Sequence, residues 1–155
     1  MGKMDDSKLF QLKLTLLEKH SHQHSDLRQK IHLTTERYVT IMLALTALVN
    51  SKLTLFSFNV IVQVIAYVLL ISAMSSVIFM VLKDNKSSLQ HAKIVSRLNE
   101  DLGLFSKGKV INHTTLYPSK WKNWGNEKNI KGSILHITIV FVSTVMLIAS
   151  IVLAN

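Results

Sequence analysis

The sequence contains no cysteine, one proline and five glycines in 155 residues. Without a thiol there are no disulfides, no thiolate metal ligands and no lipidated cysteine. Acidic charge is also scarce, with nine Asp and Glu against 18 Lys and Arg, a formal net charge of +9. Long stretches lack charge altogether. Lys52 is the one charged residue in the 45 positions 38–82, and residues 134–153 hold none. Catalytic signatures are missing too: there is no nucleophile elbow, phosphate-binding glycine loop, HExxH pair or carboxylate pair in an apolar setting. An enzyme is therefore not expected, nor is a cofactor. The opening MGKMDDSKLF is expected to be neither a signal peptide nor a myristoylation site, because Asp6 stands where Ser or Thr is required.

What is present is apolar, 48% of the chain, and it is segregated. It collects in residues 38–82 and 134–154, while nearly all the charge lies in 1–37 and 83–131. A soluble core would instead interleave short apolar stripes with polar faces. A bilayer's hydrocarbon core needs roughly 20 apolar residues per helix, which residues 134–153 supply once. The 45 residues of the first block would reach about 67 Å as one helix, more than twice the core thickness. Two antiparallel spans, residues 38–56 and 60–82, solve this, with the turn between Lys52 and Asn59. Lys52 then lies about one turn inside the interface, where its stem snorkels to the headgroups. The expected fold is an all-α membrane protein with three transmembrane helices, a hairpin plus a C-terminal span over 132–155.

Lysine and arginine set the orientation. Seven lie in residues 1–37 and ten in 83–131, against Lys52 alone in the turn and none in the tail. Three spans with a cytoplasmic N-terminus and an outside C-terminus place all 17 on one side. The expected location is a cell inner membrane, multi-pass.

Residues 1–37 read as an N-terminal amphipathic helix, capped by Asp6 or Ser7, with Leu9, Leu12 and Leu16 at helical spacing. That stripe packs on another helix or another copy, or lies on anionic lipid beside Lys8, Lys13 and Lys19. His20 and His24 share one face at the i, i+4 spacing that can hold a metal ion, but neither has an acidic or thiol partner at matching spacing. A solvated polar patch is the competing reading. Residues 83–131 contain a short cytoplasmic helix starting near Asn85 to Ser88 and stopping at Gly103. The loop after it interleaves Tyr117, Trp121 and Trp124 with lysines. It reads as an interfacial belt leading to Lys131 at the third span, or as a stacking surface for nucleic acid. Within the spans no ionisable residue stands at mid-depth. Ser72 with Ser76, and Ser150 with Ala154, make small-xxx-small pairs suited to helix packing within a protomer or in a homo-oligomer.

The order of parts is basic helix, membrane hairpin, short helix reading SRLNEDLGLF, aromatic-basic loop and final span. In that layout the whole chain resembles small multi-pass inner-membrane proteins encoded beside bacterial anti-phage systems, notably the transmembrane effectors of retrons. The resemblance transfers no functional residues. It implies an antiviral defence effector held inactive by a complex of reverse transcriptase with its RNA-DNA product. Once released, such an effector perturbs the membrane and stops host growth, an abortive infection. The alternative from the residues alone is a non-enzymatic membrane anchor or accessory subunit that positions a cytoplasmic partner. In either case the lipid bilayer is the first partner.

Overall fold

The computed structural model describes residues 6–50, 60–108, 114–118, 122 and 131–153. They form three helices: α1 over Asp6–Asn50, α2 over Val60–Asp101 and α3 over Lys131–Leu153. The expected turn and Lys52 lie outside the described residues, as do Trp121, Trp124, Ala154 and residues 51–56 of the expected first span. Lys131 is the first residue of α3.

The separate N-terminal and cytoplasmic helices expected from the sequence are corrected here. α1 runs from the amphipathic segment into the apolar one without a break at residue 37, and α2 does the same through residues 82–88. The reason is chemical. Between Gly2 and Gly103 there is neither glycine nor proline to interrupt a helix. The residues expected to cap a new helix are used otherwise: Asn85 and Ser88 are buried, and the Ser88 hydroxyl meets a histidine instead of a helix terminus. α2 does stop where expected. Gly103 adopts a φ of 72°, the Leu104 N–H donates to the Asn99 carbonyl, and the Gly103 N–H donates to the Glu100 carbonyl. That is the paired-bond Schellman ending, and it needs a residue without Cβ strain at Gly103.

The chain divides into two compact units. Unit one comprises Met1–Arg28 and Asn85–Asn129, and unit two comprises Gln29–Asp84 and Ile130–Asn155. In unit two, all three helices meet on a narrow seam. Tyr38 and Met42 of α1 and Val140, Leu147 and Ile151 of α3 are buried together, with Tyr67, Leu70, Met74 and Val77 of α2 packed against them. The gaps of three and four residues on α2, and of seven and four on α3, are those of coiled-coil helices, which bury one stripe and leave the remainder outward.

That remainder is apolar. Phe79 is 68% exposed and Leu69 64%, with Ile65, Val68, Phe141 and Met146 also exposed. Two helices, Gln63–Asp101 and Ser133–Leu153, are long and apolar enough to cross a membrane, and only 6% and 28% of their most apolar windows are buried. Burying one such side chain is worth about 1.5–3 kcal/mol, so leaving this many in water is a large penalty that hydrocarbon removes.

Polar contacts register the seam. The Tyr38 hydroxyl lies 2.8 Å from Thr144 Oγ1, which itself stands 2.8 Å from the Val140 carbonyl oxygen. Thr144 has a single hydroxyl proton. Its donation to Val140 makes Tyr38 the donor to Thr144, a relay of two bonds in which each proton has one acceptor. Both residues are buried, Thr144 at 1% exposure. Tyr38→Phe is expected to cost about 1 kcal/mol, roughly fivefold in the unfolding equilibrium, with no loss of helix content. Reversible unfolding in detergent followed by circular dichroism measures it.

Candidate interaction surface

In unit one, α1 and α2 are held by a seam far more polar than that of unit two. Ala92, Val95 and Leu102 are its buried apolar members, but Ser88, Ser96 and Asn99 are buried among them. His20 and His24, one turn apart on α1, both meet α2. His20 Nδ1 stands 2.9 Å from His91 Nδ1, so one ring donates its N–H and the other accepts; the ring centroids are 5.1 Å apart. His24 Nδ1 lies 2.9 Å from both the carbonyl and the hydroxyl oxygen of Ser88. The shared face anticipated for His20 and His24 is thus real, but each histidine is matched to its own partner across the seam. Among the described residues, no group of three or more His, Asp or Glu side chains is placed to hold a metal ion.

The far end of this helix pair is tied by charge. Lys13 reaches Asp101 at 3.7 Å, and Lys122 reaches Glu100 at 2.7 Å. Ser96 Oγ donates to the Lys122 carbonyl at 2.6 Å. After the α2 stop the chain folds back: the Gly108 N–H donates to the Thr114 carbonyl, the Tyr117 N–H donates to the Leu104 carbonyl, and Phe105 packs near Tyr117 with ring centroids 6.2 Å apart. A cavity of about 480 Å³ opens here, lined by Leu14, Leu17, Glu18, Ser21, Val95, Asn99 and Tyr117. The Oδ1 atoms of Asn85 and Asn99 are buried without a hydrogen-bond partner among the described residues.

The charge distribution on α2 is uneven. In unit two Asp84 pairs with Lys30 at 3.1 Å, so all three acids of α2, Asp84, Glu100 and Asp101, are engaged by cations from other segments. The cations on the outward side of α2 in unit one, Lys86, Lys93 and Arg97, are exposed and form no ion pair among the described residues. On α1, Leu9 and Leu12 of the expected amphipathic stripe, with Phe10 beside them, are exposed rather than covered.

The small-residue pairs separate. Ser72 and Ser76 lie on an exposed side of α2, where the Ser76 hydroxyl donates to the Ser72 carbonyl. They bring no second helix together within the described residues. Ser150 is half-buried on α3. The close packing of α3 uses Ser133, Ser143 and Thr144 instead, all buried. Sequence reasoning missed His91, Ser88 and Tyr38 as partners. The available signal was their place on three- and four-residue seams in line with buried apolar neighbours.

No known protein family, curated protein sequence or solved structure matches the chain. What the surface does has to be read from its own chemistry.

His91→Ala removes the contact to His20 and leaves its nitrogen without that partner. It is expected to lower the stability of unit one by about 1 kcal/mol. Amide hydrogen exchange reads this as faster exchange near residues 17–24 and 88–95, with residues 140–147 unchanged.

Proposed function

We propose that the protein is a non-enzymatic integral membrane protein whose basic unit docks a cytoplasmic partner. The reading rests chiefly on the apolar run of α2, of membrane-spanning length and only 6% buried. Lipid is the solvent that such a helix fits, because its backbone groups are bonded internally and its side chains offer hydrocarbon outward. Unit one is the opposite kind of surface. It carries most of the unpaired cations described, and its seam is polar enough to stand in water. In the proposed topology the chain spans an inner membrane three times, with residues 1–37 and 83–131 on the cytoplasmic side.

A second reading is supported by the exposed hydroxyls of α2. Ser72, Ser75 and Ser76 form a polar strip on an otherwise apolar outward face. Several copies meeting there would place hydroxyls together in the bilayer, as an antiviral effector that perturbs its host membrane requires. A cytoplasmic complex of reverse transcriptase with RNA-DNA product, occupying unit one, would hold that assembly off.

Reporter fusions test the topology. Alkaline phosphatase joined after residue 155 is expected to be active, and inactive when joined after residue 108; the reverse pattern removes the proposed orientation, and equal activity at both removes the span between them. The two functional readings part on permeability. Induced expression of the full chain without a partner is expected to leave cells closed to propidium iodide if the chain only anchors. Dye entry that Ser72→Leu with Ser76→Leu abolishes, at equal membrane levels, selects the effector.

A further inference from the structure

We infer that the outward face of α2 in unit one is a binding surface for the phosphodiester backbone of a nucleic acid. Lys86, Gln90, Lys93 and Arg97 follow one another at spacings of four, three and four residues. At 100° per residue they fall within about 60° of the helix circumference, on a row about 16 Å long. All four are exposed. The opposite side of the helix, Ser88, Ala92, Val95 and Asn99, is the buried seam.

The row has no structural work to do. Lys93 and Arg97 are a like-charge pair at i, i+4, an arrangement that weakens a helix. The acids that would neutralise it are committed elsewhere: Glu100 to Lys122 and Asp101 to Lys13. What remains is a linear, uncompensated positive edge with one amide in it, suited to an anion of the same form.

Three kinds of anion compete, and the surroundings choose between them. A bilayer surface is disfavoured because α2 has no break between residue 82 and Asp101. A helix crossing a membrane with its apolar part does not also lay this row flat on that membrane. Surface-seeking helices moreover flank their cations with large apolar side chains, and between Lys86 and Arg97 Ile94 is the one large apolar side chain that is exposed. An acidic protein is disfavoured because protein interfaces are anchored by an apolar or aromatic centre, which the row lacks. Nucleic-acid interfaces are polar and positively charged throughout, and their phosphates are contacted by Lys, Arg and Gln. The row holds no aromatic platform and no recognition loop, so binding is to the backbone and independent of base sequence. Unit one's role as the docking surface is taken from the reading above, and the chemistry of the row stands apart from it.

The test uses the full chain in detergent and a fluorescent oligonucleotide of mixed sequence, single-stranded and duplex, followed by anisotropy through a salt titration. Binding is expected with a log-log salt slope of about −2 for single strands and about −2.7 for duplex, three phosphates' worth. The triple variant K86Q/K93Q/R97Q is expected to lose at least about tenfold in affinity and most of that slope. K86R/K93R/R97K restores both, and K8Q/K19Q on α1 leaves both in place. Circular dichroism confirms that each variant keeps its helices. Failure of the wild type to bind overturns the inference, even if crosslinking still recovers a protein partner, which leaves the docking reading intact. An unchanged slope in the triple variant also overturns it. So does loss of capture by phosphatidylglycerol vesicles, or by polyglutamate, with oligonucleotide binding unaffected.

Discussion

The structure depends on one constraint: a long apolar helix that buries little of its surface has to satisfy its own backbone. Within α2 the main-chain donors and acceptors of the apolar run beyond its first turn find their partners one turn away, so the helix forms without help from water. The sequence makes this easy by withholding glycine and proline from residue 3 through residue 102. The same omission has a second effect. With nothing to stop it, α2 carries on into polar sequence until Gly103, where a left-handed residue ends it. α1 likewise joins an amphipathic segment to an apolar one in a single helix of 45 residues.

Each unit then solves its own packing problem by the same geometry and different chemistry. Both use seams with members three and four residues apart. Unit two fills its seam with Tyr38, Met42, Val140 and Leu147, and needs little polar bonding beyond Tyr38 and Thr144. Unit one puts His20, His24, Ser88 and Asn99 where larger apolar residues would stand, and fixes α1 to α2 through directional contacts. A polar seam has less hydrophobic stabilisation and more geometric demand, since each group has to meet a particular partner.

Much of this was legible along the chain. The two apolar blocks, the stop at Gly103 and the common face of His20 and His24 follow from composition and helical period alone. The partners were not. His91 lies 71 residues from His20, and Thr144 lies 106 from Tyr38; no local pattern connects them. The junctions misled for a physical reason. Asn85, Ser87 and Ser88 are residue types that start helices, but a cap needs non-helical backbone before it, and the apolar run ahead of them was already helical. Ser72 and Ser76 have the right spacing for packing, yet spacing does not say whether a second helix is there to receive them. The row on α2 was hidden in a general excess of lysine until burial showed which side of the helix faced outward.

The pair Tyr38 and Thr144 has a consequence for assembly order. Apolar seams of Val, Leu and Ile tolerate sliding and slight rotation, because one methyl group substitutes for another. A hydroxyl pair does not. Turning α3 by a single residue would separate the Tyr38 proton from its acceptor inside a buried seam, so the pair works as an index mark against which two smooth cylinders are set. Helices brought together one after another would first associate in several azimuths and then settle into the one alignment where that mark closes.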